Sequence, residues 1–233
     1  MEVWYKELGF NGNPFSIKPA AYHNELYGYN INEIVKKVKD GRIFFIEGEY
    51  GKGKTTILKR IIKEFGGNKK LIYYSCNRTE DNLDIQRLID ERPGFFSKLF
   101  GSTPNDMILL LDEVQDLLAE DSEQIVHSYQ KYFKSIVLVS SDYSKIKFGN
   151  GLKEMIGENI IKLKDLSDED VIKIIRKRIG NRLLTDEQIK KIAEKSDYNP
   201  RKLLKNCEEI CKYSVDIGYE AVKDDHIDKI LGK

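Results

Sequence analysis

The sequence contains little of several features that mark specialised protein classes. It has no run of about 18 apolar residues, the length that a membrane-spanning helix requires, so no membrane segment is expected. Its first ten residues, MEVWYKELGF, lack the basic start and apolar stretch of a signal peptide. The cysteines are too few and too irregularly spaced for a disulfide framework, which favours a reducing cytoplasmic location; they are Cys76, Cys207 and Cys211.

Net charge is also nearly absent, because 39 Lys and Arg residues balance 38 Asp and Glu residues to within +1. The overall charge therefore does not indicate a nucleic-acid-binding protein, and any basic surface would have to be local. The 233 residues are 40% hydrophobic and 33% charged, which is typical of a globular protein with a buried core and a charged surface. No internal repeat or low-complexity linker interrupts the chain.

Residues 48–55, GEYGKGKT, match the P-loop pattern G-x-x-x-x-G-K-[ST]. Glycines let the backbone N–H groups point at phosphates, Lys54 would reach the β and γ phosphates, and the Thr55 hydroxyl would ligate Mg²⁺. An apolar run at 42–47 precedes the loop and a helical pattern at 55–65 follows it, as the motif requires. The sequence therefore predicts a site for a nucleoside triphosphate and Mg²⁺ formed by Gly48, Glu49, Tyr50, Gly51, Lys52, Gly53, Lys54, Thr55 and Thr56.

A second motif, MILLLDEV (107–114), ends an apolar strand pattern in two acids. The carboxyl edge of an α/β sheet is where such folds bind ligands. Asp112 is predicted to hold Mg²⁺ with Thr55, directly or through water, and Glu113 to orient and polarise the attacking water. Phosphoryl transfer depends mainly on positioning and charge neutralisation, so this pair and the P-loop would suffice for hydrolysis. The alternative is that both acids only cap the following helix.

Strand and helix patterns alternate up to about residue 164, and only helical patterns follow. Further strands are predicted at 71–76, 135–141 and 159–163, and helices at 81–92 and at 122–133, with Ser122 as an N-cap. Four helices are predicted at 166–180, 184–196, 199–218 and 224–231. The predicted fold is an α/β P-loop domain over 1–164, with a parallel five-stranded sheet flanked by helices, followed by a small all-α domain over 165–233.

On these motifs the chain resembles the AAA+ ATPases, in particular the archaeal origin-recognition initiators and the bacterial general-secretion and transposition helper ATPases. The N-terminal segment NPFSIKPAAYHNELYGYNINEIVKKV is similar to the arm that lines the adenine pocket in those groups. The resemblance implies that Tyr22, Leu26, Tyr27 and Gly28 contact adenine, with an ordinary core role as the alternative. It also implies Mg²⁺-dependent hydrolysis of ATP that drives a switch in DNA replication, recombination or transposition. DNA or a DNA-bound protein assembly would be the partner, with a homo-oligomer possible.

Other positions take their roles from the resemblance alone. Ser141, or else Ser140, ends the strand at which sensor 1 sits in the family. Arg201, in YNPRKLL, matches sensor 2, the arginine of a helical lid that reaches the γ-phosphate. A guanidinium suits that role because its charge is permanent and its donors form a fork. A polar switch residue at the end of the second strand would be Ser75 or Asn77.

The chain also departs from the family pattern. No arginine occurs in residues 143–175, the region where many AAA+ proteins carry an arginine finger. Slow turnover, or a finger supplied by another partner, is therefore expected. A nucleotide-gated scaffold with little hydrolysis is the alternative function, and a P-loop kinase is disfavoured by the Asp-Glu pair after the third strand.

Two expectations concern DNA. No winged-helix pattern follows the helical lid, so sequence-specific origin binding is not expected. The insert at 92–106 carries an aromatic-basic cluster that either contacts DNA or folds back onto the core: Phe95, Phe96, Lys98, Leu99 and Phe100.

Overall fold

The computed structural model of the chain describes residues 3–18, 26–65, 70–77, 83–91 and 106–232. Tyr22 and the aromatic-basic cluster of residues 95–100 lie outside these ranges. The strands are β1 (Ile43–Glu47), β2 (Leu71–Ser75), β3 (Met107–Asp112), β4 (Phe133–Ser140) and β5 (Ile160–Lys162). The helices are α1 (Trp4–Glu7), α2 (Ile31–Lys39), α3 (Lys54–Glu64), α4 (Ile85–Asp90), α5 (Ala119–Ser128), α6 (Asn150–Ile156), α7 (Asp168–Ile179), α8 (Asp186–Lys195), α9 (Pro200–Asp216) and α10 (Asp224–Leu231).

The chain forms two compact units. The sheet unit comprises Asn30–Tyr50 and Lys54–Leu163, and the helical unit comprises Met1–Tyr29, Gly51–Gly53 and Lys164–Lys233. The N-terminal residues, which the sequence analysis grouped with the α/β domain, thus belong to the helical unit. None of the helices within the described ranges is long and apolar enough to cross a bilayer.

The sheet unit contains the predicted parallel five-stranded sheet, in the order β2-β3-β4-β1-β5. The interior strand β1 pairs with β4, where Ile43 is in register with Ile136, and with β5, where Phe45 is in register with Ile160. Every residue of β3 is buried, which explains why MILLLD reads as a continuous apolar run rather than an alternating one. In β2, Ser75 is in register with Asp112, so the ends of the second and third strands meet at one edge.

The helix predicted at 122–133 differs from the observed one. Helix α5 begins at Ala119, and Ser122 is an interior, buried residue rather than its N-cap. The carboxylate of Asp121 instead accepts a hydrogen bond from the backbone N–H of Leu118 at 2.8 Å, which satisfies a donor at the helix start. The helix ends at Ser128, and the buried Phe133 opens β4. The apolar residues that predicted one helix at 122–133 therefore belong partly to α5 and partly to the start of β4.

The helical unit contains the four predicted C-terminal helices. Ser167 and Thr185 cap α7 and α8 through capping boxes, and the Asn199 side chain caps α9. The core of this unit also takes in Trp4 and Phe15 from the N-terminal arm, whose rings stack with centroids 6.2 Å apart. The arm is thus part of the hydrophobic core of the helical unit.

Candidate functional site

The P-loop lies between a buried strand and a helix of the sheet unit, as predicted. β1 ends at Glu47 and α3 begins at Lys54, so the loop residues between them end at a helix N-terminus. The Lys54 ammonium donates to the backbone carbonyl oxygens of Gly48 at 2.5 Å and of Glu49 at 3.0 Å. A Cβ atom at Gly48 would lie 3.0 Å from Leu163 Cβ, so a larger residue there would require the Leu163 side chain to shift. This arrangement is able to surround a phosphate chain with N–H groups and one positive charge.

The two sequence motifs meet at a hydrogen bond between Thr55 and Asp112. The Thr55 hydroxyl donates to Asp112 Oδ2 at 2.8 Å, although the residues are far apart in sequence. Asp112 is only 3% exposed, and its Oδ1 accepts the backbone N–H of Glu113 at 3.1 Å. Its Oδ2 also accepts the hydroxyl of Tyr73 at 3.2 Å, a residue outside both motifs.

These oxygens fit a magnesium ion. Mg²⁺ in nucleotide sites uses one or two carboxylates together with phosphates and water, rather than a cage made only of protein ligands. Thr55 and Asp112 offer a hydroxyl and a carboxylate side by side at the start of α3. Within the described ranges, no group of three or more His, Cys, Asp or Glu residues is arranged to hold a metal ion.

Glu113 occupies an unusual position directly after β3. Its backbone has φ 56° and ψ 46°, in the left-handed region that non-glycine residues seldom adopt. Its Oε2 atom is buried and has no hydrogen-bond partner among the described residues. Burial, and then the carboxylates of Asp112 and Asp116, raise the pKa of Glu113, although Lys54 opposes the shift. A strained, partly desolvated carboxylate of this kind is typical of a catalytic base.

The polar residues at the end of β4 have different environments. Ser140, the last residue of the strand, is buried, and its hydroxyl donates to Gln115 Oε1 at 2.6 Å. Ser141 follows it and is exposed. At the end of β2, Ser75 donates to Asn77 Oδ1 at 3.1 Å. Of the two serines considered for sensor 1, Ser141 is thus the one whose side chain is open to solvent.

Within the helical unit, residues 51–53 of the P-loop contact the start of α9. Gly51 has φ +89°, and a Cβ atom there would lie 2.5 Å from Asn199 Oδ1 and 2.8 Å from Arg201 Cβ. The Lys52 ammonium forms an ion pair with Asp165 at 2.9 Å. The backbone carbonyl oxygen of Lys52 accepts a hydrogen bond from the Tyr29 hydroxyl at 2.5 Å. Arg201, predicted from the sequence as sensor 2, is therefore next to a residue of the nucleotide loop.

The described residues of the predicted adenine pocket also lie in the helical unit. Gly28 has φ +77°, and a Cβ atom there would be 2.7 Å from Leu166 Cδ2. Tyr27 packs against the helical core, and Leu26 is partly buried. Burial, followed by Asp165 and Asp170, raises the pKa of the neighbouring Tyr29 hydroxyl. An adenine-binding role for these residues stays a prediction.

Sequence reasoning did not find Tyr73 or Gln115. Tyr73 is one of two adjacent tyrosines in β2, and no spacing rule distinguishes the one that reaches Asp112. Gln115 lies two residues after Glu113, but its partner Ser140 is at the end of β4, far away in the sequence.

Cys207 and Cys211, four residues apart, are both fully buried in the helical core and serve as packing residues.

Comparison with known proteins identifies the fold. A sequence model of the AAA domain family matches residues 40–163. The RuvB Holliday junction branch migration motor of Thermotoga maritima is similar with a TM-score of 0.68 and 14% identity, over 87% of this chain and 68% of that one. Cdc6p from Pyrobaculum aerophilum gives 0.65 and 12%, over 95% and 70%.

A chain of the Drosophila ORC structure bound to DNA gives a TM-score of 0.62 and 16% identity, over 98% of this chain and 64% of that one. None of the curated proteins compared matches the sequence. At these identities, the likeness to solved structures establishes the fold alone.

Proposed function

The chain belongs to the AAA domain family, and we propose that it binds ATP with Mg²⁺ and hydrolyses it to ADP and phosphate. The observation that carries this proposal is the 2.8 Å hydrogen bond from Thr55 to Asp112. It joins the last residue of the P-loop pattern to the acid at the end of β3, so the groups that would hold phosphate and metal share one edge of the sheet. The AAA+ fold of the chain supports a nucleotide-driven activity of this kind.

The residues of the sheet unit would divide the chemistry. The Lys54 ammonium, now hydrogen-bonded to two loop carbonyls, would bind the β and γ phosphates. Thr55 and Asp112 would hold Mg²⁺, which neutralises charge on the transferred phosphoryl group when bound. Glu113 would orient a water molecule and accept its proton. Its raised pKa supports this role, because a base works best when its pKa approaches the working pH.

We further propose that Arg201 and Ser141 respond to the γ-phosphate. Arg201 lies at the first turn of α9 beside Gly51, which supports a contact with nucleotide in the loop. Ser141 is exposed at the end of β4, next to the paired Ser140. Loss of the γ-phosphate would remove one proposed contact of the Arg201 guanidinium, which gives a switch between two states of the protein.

The partner proposed is DNA or a DNA-bound protein assembly, with a homo-oligomer as a possible working form in the cytoplasm. The support is fold likeness to a branch migration motor and to an ORC structure bound to DNA. The pathway proposed is DNA replication, recombination or transposition.

A second candidate function is a nucleotide-gated scaffold with little hydrolysis. The observation that favours it is the absence of arginine from residues 143–175, so no arginine finger is offered there. The strained Glu113, whose Oε2 atom is buried, favours hydrolysis instead, since a scaffold has no need of it.

Single-turnover hydrolysis of radiolabelled ATP, with and without DNA, separates these functions. We expect the unaltered chain to release phosphate, and Glu113→Gln to bind ATP but lose about 100-fold or more of the rate, within the usual range for general-base removal. Glu120→Gln, an exposed acid early in α5, is the matched control and should behave like the unaltered chain. ATP binding without phosphate release by the unaltered chain, with or without DNA, would favour the scaffold. Absence of ATP binding would refute both functions.

A further inference from the structure

Asp112 has a hydrogen-bonding environment that its motif does not specify. Its carboxylate is 3% exposed, and a buried carboxylate is stable only when its oxygens are hydrogen-bonded. Among the described residues, three donors reach it: the Glu113 backbone N–H on Oδ1, and the hydroxyls of Thr55 and Tyr73 on Oδ2. Two of these donors belong to the two sequence motifs, because Thr55 ends the P-loop pattern and Glu113 follows Asp112. Tyr73 is the third.

Tyr73 reaches Asp112 because of the register between β2 and β3. The strands are parallel, with Tyr73 opposite Leu110 and Ser75 opposite Asp112. Side chains alternate between the faces of a sheet, so Tyr73, Ser75 and Asp112 lie on the same face. The Tyr73 side chain extends along this face toward the end of β3, and its hydroxyl lies 3.2 Å from Asp112 Oδ2.

The ring of Tyr73 is itself held from the other side. The Lys59 ammonium lies 4.9 Å from the ring centroid, and Lys59 is one turn after Thr55 on α3. Tyr73 therefore contacts both elements that supply the predicted metal ligands: α3 through Lys59, and β3 through Asp112. An aromatic ring loses little conformational entropy when fixed, so it suits a supporting role.

From this geometry we propose that Tyr73 is a positioning residue for the magnesium site. Its hydroxyl holds the Asp112 carboxylate in one rotamer, with Oδ2 directed toward Thr55 at the start of α3. Removing a partner that orients a metal ligand commonly lowers metal affinity by about 10- to 100-fold. This inference rests on the proposed function, because it assumes that Mg²⁺ and ATP bind at this edge of the sheet.

The test is the Mg²⁺ dependence of ATP binding by Tyr73→Phe, measured with a fluorescent ATP analogue in the full chain. We expect the Mg²⁺ concentration for half-maximal binding to rise about 10-fold. Affinity for the same analogue in EDTA should be unchanged, since the P-loop itself is intact. A residue with only a structural role would shift both measurements together or neither.

Tyr132→Phe is the matched control. The Tyr132 hydroxyl also donates to a side chain, Gln86 Oε1 at 3.3 Å, and a lysine, Lys131, also lies over its ring at 4.7 Å. This variant loses the same chemical group away from Asp112, and it should match the unaltered chain both with Mg²⁺ and in EDTA.

The possible outcomes are distinct. Equal Mg²⁺ dependence in Tyr73→Phe and the unaltered chain would overturn this inference and leave the proposed function intact. A Tyr73→Phe protein that does not fold, judged by circular dichroism, would show that the hydroxyl holds the fold rather than the metal ligand, and would also overturn it. No Mg²⁺-dependent binding by the unaltered chain would overturn the proposed function and this inference with it.

Discussion

The Ser140 hydroxyl donates a 2.6 Å hydrogen bond to Gln115 Oε1 and so joins the end of β4 to the turn that follows Glu113. Gln115 Nε2 in turn donates to Asp116 Oδ2 at 3.2 Å. Glu113 directly precedes this turn, and its backbone is in the left-handed region. The direction of its side chain therefore depends on the conformation of the turn. The Ser140 hydrogen bond is thus one restraint on the direction of the proposed base.

We predict that Gln115→Leu slows ATP hydrolysis while ATP affinity is kept. The variant retains size but loses the acceptor for Ser140, and a neutral hydrogen bond contributes about 1 kcal/mol, which corresponds to about fivefold in rate. Single-turnover hydrolysis measures the rate, and equilibrium titration measures the affinity. Gln124→Leu, on the exposed face of α5, is the control. An unchanged rate, or a parallel loss of binding, would contradict the prediction.

Glu113→Gln should raise the stability against unfolding of the protein when neither nucleotide nor metal is bound. The Glu113 Oε2 atom is buried with no partner among the described residues, and burial with Asp112 and Asp116 raises the pKa of its carboxyl. The folded state then binds the proton more tightly than the unfolded state, so ionised Glu113 destabilises the fold at neutral pH. Glutamine removes this unfavourable charge.

The pH dependence follows from the sign of that shift. The stabilisation by Glu113→Gln should be full above the raised pKa, should decline as pH falls through it, and should vanish below the ordinary glutamate value of about 4.3, where both states are protonated. Thermal unfolding in EDTA at several pH values measures it. Glu120→Gln, on the exposed side of α5, should show no such gain. A lower melting temperature for Glu113→Gln at neutral pH would refute the argument.

Gly51→Ala should weaken nucleotide binding and destabilise the helical unit. A methyl group there would lie 2.5 Å from Asn199 Oδ1 and 2.8 Å from Arg201 Cβ, and φ +89° is unfavourable for alanine. We expect a loss of stability of about 1–3 kcal/mol from the strained backbone alone. Urea unfolding and ATP titration are the measurements. Gly12→Ala, where no atom lies within 4 Å, is the control, and equal behaviour of the two variants would contradict the prediction.

Phe15→Ala should destabilise the helical unit strongly. Phe15 is fully buried in its core and stacks on Trp4, so its removal should cost about 3–5 kcal/mol. Trp4 is the single tryptophan, and its fluorescence during urea unfolding reports on this unit. Val3→Ala, beside Trp4 but 44% exposed, should change stability by about 0.5 kcal/mol or less. If the two variants unfold alike, the arm is not part of the helical core.

The residues that carry local signals could be predicted from the sequence. Ser167 and Thr185 begin their helices because a hydroxyl followed three residues later by an acceptor side chain satisfies the first turn on its own. Thr55 and Asp112 could be paired because fixed spacing and an apolar strand place both at one sheet edge. Such features depend on neighbours in sequence, so periodicity and motif spacing are enough to find them.

Features that depend on distant partners could not be predicted. Ser122 is of a residue type typical of an N-cap, but it is buried in the fold, and α5 begins three residues before it. Phe15 reads as part of an N-terminal arm, and nothing in its local pattern places it in the helical core. The role of Tyr73 could not be predicted for the same reason, because it depends on the register between β2 and β3 and not on the residues next to Tyr73 in the sequence.

The strand order has a consequence for how the chain acquires its nucleotide loop during synthesis. β1, which leads into the P-loop, has its hydrogen-bonding neighbours in β4 and β5, where Ile43 meets Ile136 and Phe45 meets Ile160. A ribosome emits β1 long before either neighbour exists, and such long-range pairing is slow to form. One edge of β1 therefore lacks its partner until residue 140 has left the exit tunnel, and the other edge until residue 162 has left it. A nucleotide bound as proposed would stabilise the sheet only after all of its strands have paired, because a ligand stabilises the state that binds it.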